Sequence, residues 1–229
     1  MSPTTIPGNL ILKNEMVEAD PFFNNVSLLL HGDGANGSTT IVDSSPSPKT
    51  VTVFGDAQIS TAQSKFGGAS LLFDGDGDRL DIANSEDFTF GTGDYTIEGW
   101  LYQSTFAVNT LVDLRGNGTA IAIYSSTGNE RLAFVGIGIT QASIAFTANE
   151  WTHWAVTREG STIRLFVGGT LAGSAADNRN YTNTTCRIGH STTGQVFNGY
   201  IDDLRITKGI ARYASNFTPP TAPFPEVLG

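Results

Sequence analysis

The sequence predicts an all-β protein, a sandwich of two antiparallel sheets. Three observations carry this. Short apolar or alternating runs recur along the chain, each closed by Gly, Asp, Asn or Pro, which is the signature of strands and turns. No run keeps helical periodicity for more than two turns. Glycine supplies 26 of the 229 residues, about 11% against a usual value near 7%, and Ser, Thr and Asn abound as turn formers. A chain of this length fits one all-β domain.

Residues 1–23 hold Pro3, Pro7 and Gly8 around a mixed stretch, 10–17, that reads as neither helix nor strand. Such a segment gains little by folding on itself, so it is expected to be an N-terminal attachment arm ordered by another subunit. The domain is expected over 24–213. Its first strand is the apolar run 26–31, left through His31-Gly-Asp-Gly34 and a Ser/Pro loop, 43–48. Strands follow at 51–54, 70–73 and 79–82, each bounded by Gly or Asp. The run 95–102 alternates, with Tyr95, Ile97 and Leu101 on one face and Thr96, Glu98, Trp100 and Tyr102 on the other. Runs at 111–114, 120–124 and 132–135 continue the series.

Two hairpins follow. Arg158-Glu-Gly-Ser161 joins strands 151–157 and 162–167, and Gly168-Gly169 turns the chain back into Thr170-Leu171. Strands at 187–190 and 200–206 close the domain, with a short helical turn expected around 208–213. The tail, 214–229, carries Pro219, Pro220, Pro223 and Pro225 and is expected to lie extended on the surface. Ile97, Leu101, Leu132, Phe134, Leu165, Leu204 and Ile206 are the predicted core. In the last strand Tyr200, Asp202, Leu204 and Ile206 share a parity. Asp202 is therefore expected to point inward, where it needs backbone N–H donors or a metal ion.

Composition excludes several functions. With 13 Lys and Arg against 22 Asp and Glu, the net charge of −9 disfavours nucleic acid and anionic membranes as partners. No stretch approaches the roughly 18 apolar residues of a membrane span. The N-terminus lacks the basic start and apolar run of a signal peptide. Cys186 is the only cysteine, so the fold cannot depend on an intrachain disulfide.

No catalytic constellation is evident. Asp74-Gly-Asp-Gly-Asp78 lacks the glycine, glutamate and flanking helices of a helix-loop-helix calcium site and reads as a turn. Glu98 stands alone, and adjacent Asp202 and Asp203 point to opposite faces of a strand, so neither forms the paired carboxylates of a glycosidase. His31, His153 and His190 read as sheet residues. Trp100, Trp151 and Trp154 read as packing aromatics, which would stack on sugar rings if exposed.

Four segments in order carry a family resemblance: Phe66-Gly-Gly-Ala-Ser-Leu-Leu-Phe-Asp-Gly75, Tyr95-Thr-Ile-Glu-Gly-Trp100, Trp151-Thr-His-Trp-Ala-Val-Thr-Arg158 and Gly199-Tyr-Ile-Asp-Asp-Leu-Arg-Ile206. Their succession resembles laminin-G-like, concanavalin A-like lectin/glucanase domains, which implies a two-sheet antiparallel jelly roll. The ending, 206–225, resembles versions of this domain in bacteriophage virion proteins. The resemblance implies a non-enzymatic virion surface protein: a capsid decoration, head-fibre or tail-associated module, present in multiple copies. It would bind other virion subunits through its arm, and host-surface carbohydrate. It also implies a structural Ca2+ held by Asp33 and Asp202. The alternatives are a carbohydrate-binding adhesin of a bacterial surface and a glycan-cleaving enzyme.

Overall fold

The computed structural model describes residues 19–105, 109–116, 121–126, 131–136 and 139–227. Among them fifteen strands alternate with turns: β1 (Val26–Leu30), β2 (Val51–Phe54), β3 (Gln58–Ser60), β4 (Ser70–Asp74), β5 (Arg79–Ile82), β6 (Tyr95–Tyr102), β7 (Asn109–Asp113), β8 (Ala122–Ser126), β9 (Arg131–Val135), β10 (Ile139–Ala145), β11 (Thr152–Glu159), β12 (Thr162–Val167), β13 (Thr170–Ala176), β14 (Cys186–Ile188) and β15 (Asn198–Lys208). The only helical elements among the described residues are two three-residue 3-10 turns.

The strands form two antiparallel sheets, as the sequence predicts. One runs β13-β12-β11-β6-β15-β4-β3, with β1 added beside β15; the other runs β10-β9-β8-β7-β14-β5-β2. All seven predicted core residues are fully buried between them, and Trp154 joins them. Both hairpins form as expected. Gly168 and Gly169 take φ of 56° and 76°, the two positive values that a tight two-residue hairpin turn requires. The strands that sequence reasoning missed are β3, only three residues long, and β10, where Thr, Gln, Ala and Ser blur the alternation.

The eleven-residue β15 organises its sheet. One edge pairs with β6 throughout; the other pairs with β4 at 198–201 and with β1 at 204–207. Between these two partners the register against β6 shifts, and Asp203 adopts a φ of 50°. This is a β-bulge, one extra residue that resets the alternation. Ile201 faces the core opposite Leu101, and Leu204 and Ile206 face it again three and five residues on. Gly99 lies against the bulge, where a Cβ would meet Leu204 at 3.3 Å.

The outer face of this eight-stranded sheet is covered. Residues 210–212 form no helical turn; instead the Thr96 hydroxyl donates to the Ile210 carbonyl and accepts from the Arg212 N–H (both 2.9 Å). Beyond them Tyr213 and Phe217 stack on each other over Phe166 and His153. The tail does not merely lie on the surface: Phe224 is buried against Val26 and Leu29. Of the predicted arm, 1–18 lie outside the described residues. Its last part is anchored, with the Asp20 N–H donating to the Val227 carbonyl at 2.9 Å.

Candidate functional site

The outer face of the seven-stranded sheet is built by alternation, reset once where the register of β7 against β8 shifts between Thr110 and Val112. Leu80, Ile82, Val112, Cys186 and Ile188 enter the core, so Arg79, Asp81, Asp113 and Arg187 beside them project outward. Strand register lines these up in a row, Thr52–Asp81–Arg187–Asp113–Ala122–Val135, flanked by the pair Phe54–Arg79 and the row Thr110–Tyr124–Ala133. Polar groups thus gather on β2, β5, β14 and β7, and a small apolar cluster with Tyr124 gathers on β8 and β9.

Two ion-pair groups stand on this face. Arg187 Nε donates to Asp81 Oδ1 at 2.7 Å, and the Arg79 guanidinium lies 3.7 Å over the ring of Phe54. The buried Asp113 is saturated: Oδ1 accepts from the Arg115 N–H (2.8 Å) and Nε (3.0 Å), and Oδ2 from Arg115 Nη2 (2.9 Å) and the Thr192 N–H (2.8 Å). Burial alone would raise the pKa of Asp113, but Arg115 and these amides outweigh it and hold the carboxyl below its usual range. Arg115 also donates to the Tyr124 hydroxyl. A cavity of about 170 Å3 opens between the groups, lined by Asp81, Asn84, Asp113, Thr185, Arg187 and Thr192. Hydroxyls, an amide and guanidinium edges beside an aromatic ring are the means by which a protein holds a polyhydroxylated ligand. Sequence reasoning missed all of these residues. Their signal was Arg79-x-Asp81 and Asp113-x-Arg115, polar pairs at alternate positions of strands whose other positions are apolar.

Asp33 and Asp202, predicted as calcium ligands, lie on either side of one loop. Asp202 is buried, but the bulge at Asp203 overturns its predicted parity: it pairs with Trp100 and points to the outer face, not into the core with Leu204 and Ile206. There the Lys65–Phe66 turn covers it, and its Oδ2 accepts the N–H groups of Lys65 (2.6 Å) and Phe66 (3.1 Å). Burial, then the charges of Asp203 and Asp33, push its pKa up to about 7 against those two donors. The carboxylate of Asp33 abuts Gly67, where a Cβ would fall 1.8 Å from Oδ1, so a side chain there would displace it. Burial and the neighbouring Asp203 and Glu226 raise Asp33 too, despite His31. Two adjacent carboxylates with raised pKa suit a hard cation, yet they supply only two of the six to eight oxygens that calcium takes. Among the described residues no group of three or more His, Cys, Asp or Glu is arranged to hold a metal.

The remaining candidates have structural partners. Glu98 is fully buried beneath the tail, where Arg205 donates from Nε (3.0 Å) and Nη2 (2.7 Å) and the Tyr213 hydroxyl donates at 2.7 Å. Burial would raise its pKa, but Arg205 and His153 hold it far below the usual carboxylate range, which unsuits it as a general acid. His31 bridges Asp203 (2.6 Å) and Glu226 (3.0 Å). His153 is buried 3.4 Å from Glu98, and His190 lies 2.6 Å from the Ser191 carbonyl. The Cys186 thiol is buried, which pushes its pKa up and away from reactivity. Asp74–Asp78 is a turn, in which Asp78 accepts from the N–H groups of Asp56 (2.5 Å) and Asp74 (2.8 Å). Trp154 is core, Trp100 is covered, and Trp151 is half-buried beside Tyr102.

Comparison with known proteins places this architecture. The model of the concanavalin A-like lectin/glucanases superfamily, in its laminin-G form, matches residues 74–211, more than half of the chain. The protein belongs to that family. Domain 4 of AbnA, an extracellular arabinanase from Geobacillus stearothermophilus solved with arabinotriose, superposes with a TM-score of 0.63 at 17% identity, covering 82% of this chain and 94% of that one. The binding domain of botulinum neurotoxin serotype D gives 0.62 at 15% identity, covering 83% of this chain and 49% of its own. That of neurotoxin DC, solved with SialylT, gives 0.60 at 15%, covering 82% and 49%. This chain thus spans about half the length of the neurotoxin domains. At these identities the likeness is one of fold. No curated protein matches the chain in sequence.

Proposed function

We propose that the protein is a non-enzymatic glycan-binding module on the surface of a bacteriophage particle, as a capsid decoration, head-fibre or tail-associated component present in multiple copies. The observation that carries the binding part is the contrast between the sheets' outer faces. One is covered by the chain's own ends, and although a cavity of about 230 Å3 lies beside the tail, Asp20, Arg205 and Arg212 are nearly inaccessible there; the other leaves Arg187 and Asp81 about 30% exposed at a cavity of about 170 Å3, with Tyr124 held by Arg115 nearby. The solved structures with bound sugar have the same fold, which favours a glycan over other polar ligands. The virion part rests on the resemblance of residues 206–225 to phage domains and on the arm, 1–23, as the segment that docks on other virion subunits. Binding of the whole chain to a glycan array tests the first part: retention is expected and should be lost in Asp113→Ala, and a wild-type protein that retains no glycan would overturn it. Antibody labelling of purified particles tests the second; particles without the chain would end the virion reading.

A structural calcium between Asp33 and Asp202 belongs to the same proposal, favoured by their adjacent carboxylates with raised pKa. Millimolar calcium should raise the melting temperature through linkage to the bound ion, EDTA should reverse this, and Asp202→Asn should abolish it. A wild-type melting temperature indifferent to both additions would leave Asp202 to its two amide donors alone.

A further inference from the structure

We infer that β2 is a docking edge for a second copy of this chain, and that two copies join their seven-stranded sheets edge to edge into one continuous antiparallel sheet. The inference is independent of what the exposed face binds. It starts from where the free edges of the sandwich lie. An open strand edge is a row of unpaired N–H and C=O groups, and folded chains cover or disrupt most of theirs. Here β3 is covered, because the Ile59 N–H donates to the Ser38 carbonyl and the Ile59 carbonyl accepts from the Gly37 N–H (both 2.8 Å). The outer edge of β1 is covered in the same way. The Leu29 N–H donates to Asp43 Oδ1 at 3.0 Å, and the Leu29 carbonyl accepts from the Ser44 N–H at 2.8 Å. At the far corner β13 lies against β10, so closely that a Cβ on Gly173 would meet the Gln141 carbonyl oxygen at 3.2 Å. That leaves β2, the last strand of its sheet.

The ladder fixes which groups β2 leaves free. The Ala83 N–H donates to the Thr50 carbonyl at 2.9 Å, and the register runs from Val51 opposite Ile82 to Phe54 opposite Arg79. Hydrogen-bonded pairs alternate along an antiparallel ladder. Thr52 and Phe54 therefore bond to β5, while the N–H and C=O groups of Val51 and Val53 point away from the sheet. Among the described residues nothing pairs with them. Thr50-Val-Thr-Val-Phe54 contains none of the charges, prolines or bulges by which edges are kept apart. What commits this edge to a second copy is its symmetry. Set antiparallel about a two-fold axis at Thr52, Val51 of each copy meets Val53 of the other, and these are the hydrogen-bonded pairs. The two Thr52 side chains then face each other on the outer surface, where hydroxyl pairs across strands are favourable. Lys49 and Asp56 stand beyond opposite ends of the strand. The same axis thus brings unlike charges together at both ends, in a chain whose net charge of −9 otherwise keeps copies apart. Both copies turn the same outer face to the same side, so two faces act on one multivalent ligand.

The test measures association of the intact chain. Sedimentation over a concentration series is expected to show monomer giving way to dimer. Thr52→Cys should cross-link that dimer on mild oxidation. Residues opposite each other in a non-hydrogen-bonded pair bring their Cα atoms to about 4.5 Å, within the roughly 4.4–6.8 Å that a disulfide spans. Phe54→Cys, also exposed on that face but set opposite Thr50 of the other copy, should not cross-link; the native Cys186 is buried and does not compete. Val51→Pro withdraws an N–H that bonds nothing within one chain, at the first position of a strand, where proline is tolerated. It should leave the melting temperature nearly unchanged and weaken the dimer by about tenfold or more, the weight of the hydrogen bonds lost across the axis. Thr52→Lys sets like charges opposite each other and should weaken the dimer as well, which keeps the test readable if the proline unfolds the strand. A chain that stays monomeric at every concentration would overturn the inference. So would a dimer that Thr52→Cys and Phe54→Cys cross-link equally, or one that Thr52→Lys and a folded Val51→Pro leave intact, since either places the contact away from β2.

Discussion

The outer faces of the two sheets carry the same chemistry to opposite ends. On the eight-stranded sheet Arg205 and Arg212 meet Glu98 and Asp20 beneath Phe224, Tyr213 and Phe22, and hardly any of these charges reaches water. On the seven-stranded sheet Arg187 and Arg79 meet Asp81 with about 30% of each side chain exposed. A covered ion pair is costly to break, because the surviving partner is left buried. An open one contributes little to stability and keeps donors free for a ligand. What separates a structural network from a binding face here is the cover, not the residues beneath it.

The largest expected effect lies on the covered face. Arg205→Ala strips the buried Glu98 of both its guanidinium hydrogen bonds and leaves Asp20 to Arg212 alone among the arginines, and should cost about 3–5 kcal/mol, read by urea denaturation. A cost below about 1 kcal/mol would show that water reaches this network and would erase the distinction between the faces. The next effect is its pH dependence. The folded pKa values of Glu98 and Asp20 lie below their unfolded values, so the unfolded chain takes up protons first as pH falls. Their contribution is present above the usual carboxylate pKa of about 4 and is lost as pH drops through the folded values. Glu98→Gln should therefore be less stable than wild type near neutrality, and the gap should close on acidification. A gap of constant size down to acid unfolding would assign the loss to packing instead. The smallest effect belongs to the open face, where Asp81→Ala should change stability by no more than about 1 kcal/mol. A larger loss would mean that this pair, too, is structural.

The sequence already showed the all-β class, the hairpins and the core, because these depend on local alternation and turn residues. Leu204 and Ile206 were legible as core for that reason. The orientation of Asp202 was not. One extra residue at Asp203 reversed its face, and nothing in Ile201-Asp-Asp-Leu204 marks a bulge: it exists because β4 and β1 share one edge of β15. The seclusion of Glu98 was hidden for a related reason. Its strand alternates as if half in water, and the cover comes from a Pro-rich tail more than a hundred residues later in the sequence. The open face was half legible. Arg79-x-Asp81 and Asp113-x-Arg115 were in view, but β14, which brings Arg187 between them, joins them only through tertiary pairing.

The hydrogen bond from the Asp20 N–H to the Val227 carbonyl also brings residues 20 and 227 side by side. The described chain enters and leaves at one point, on the sheet opposite the candidate binding face. A body hung from a single point turns its far side outward, and it can be attached to a stalk or inserted into a loop of a host protein without threading the chain across its own surface. A partner that gripped residues 19 and 227 would hold the molecule from behind and leave the arginine-bearing face toward the surroundings.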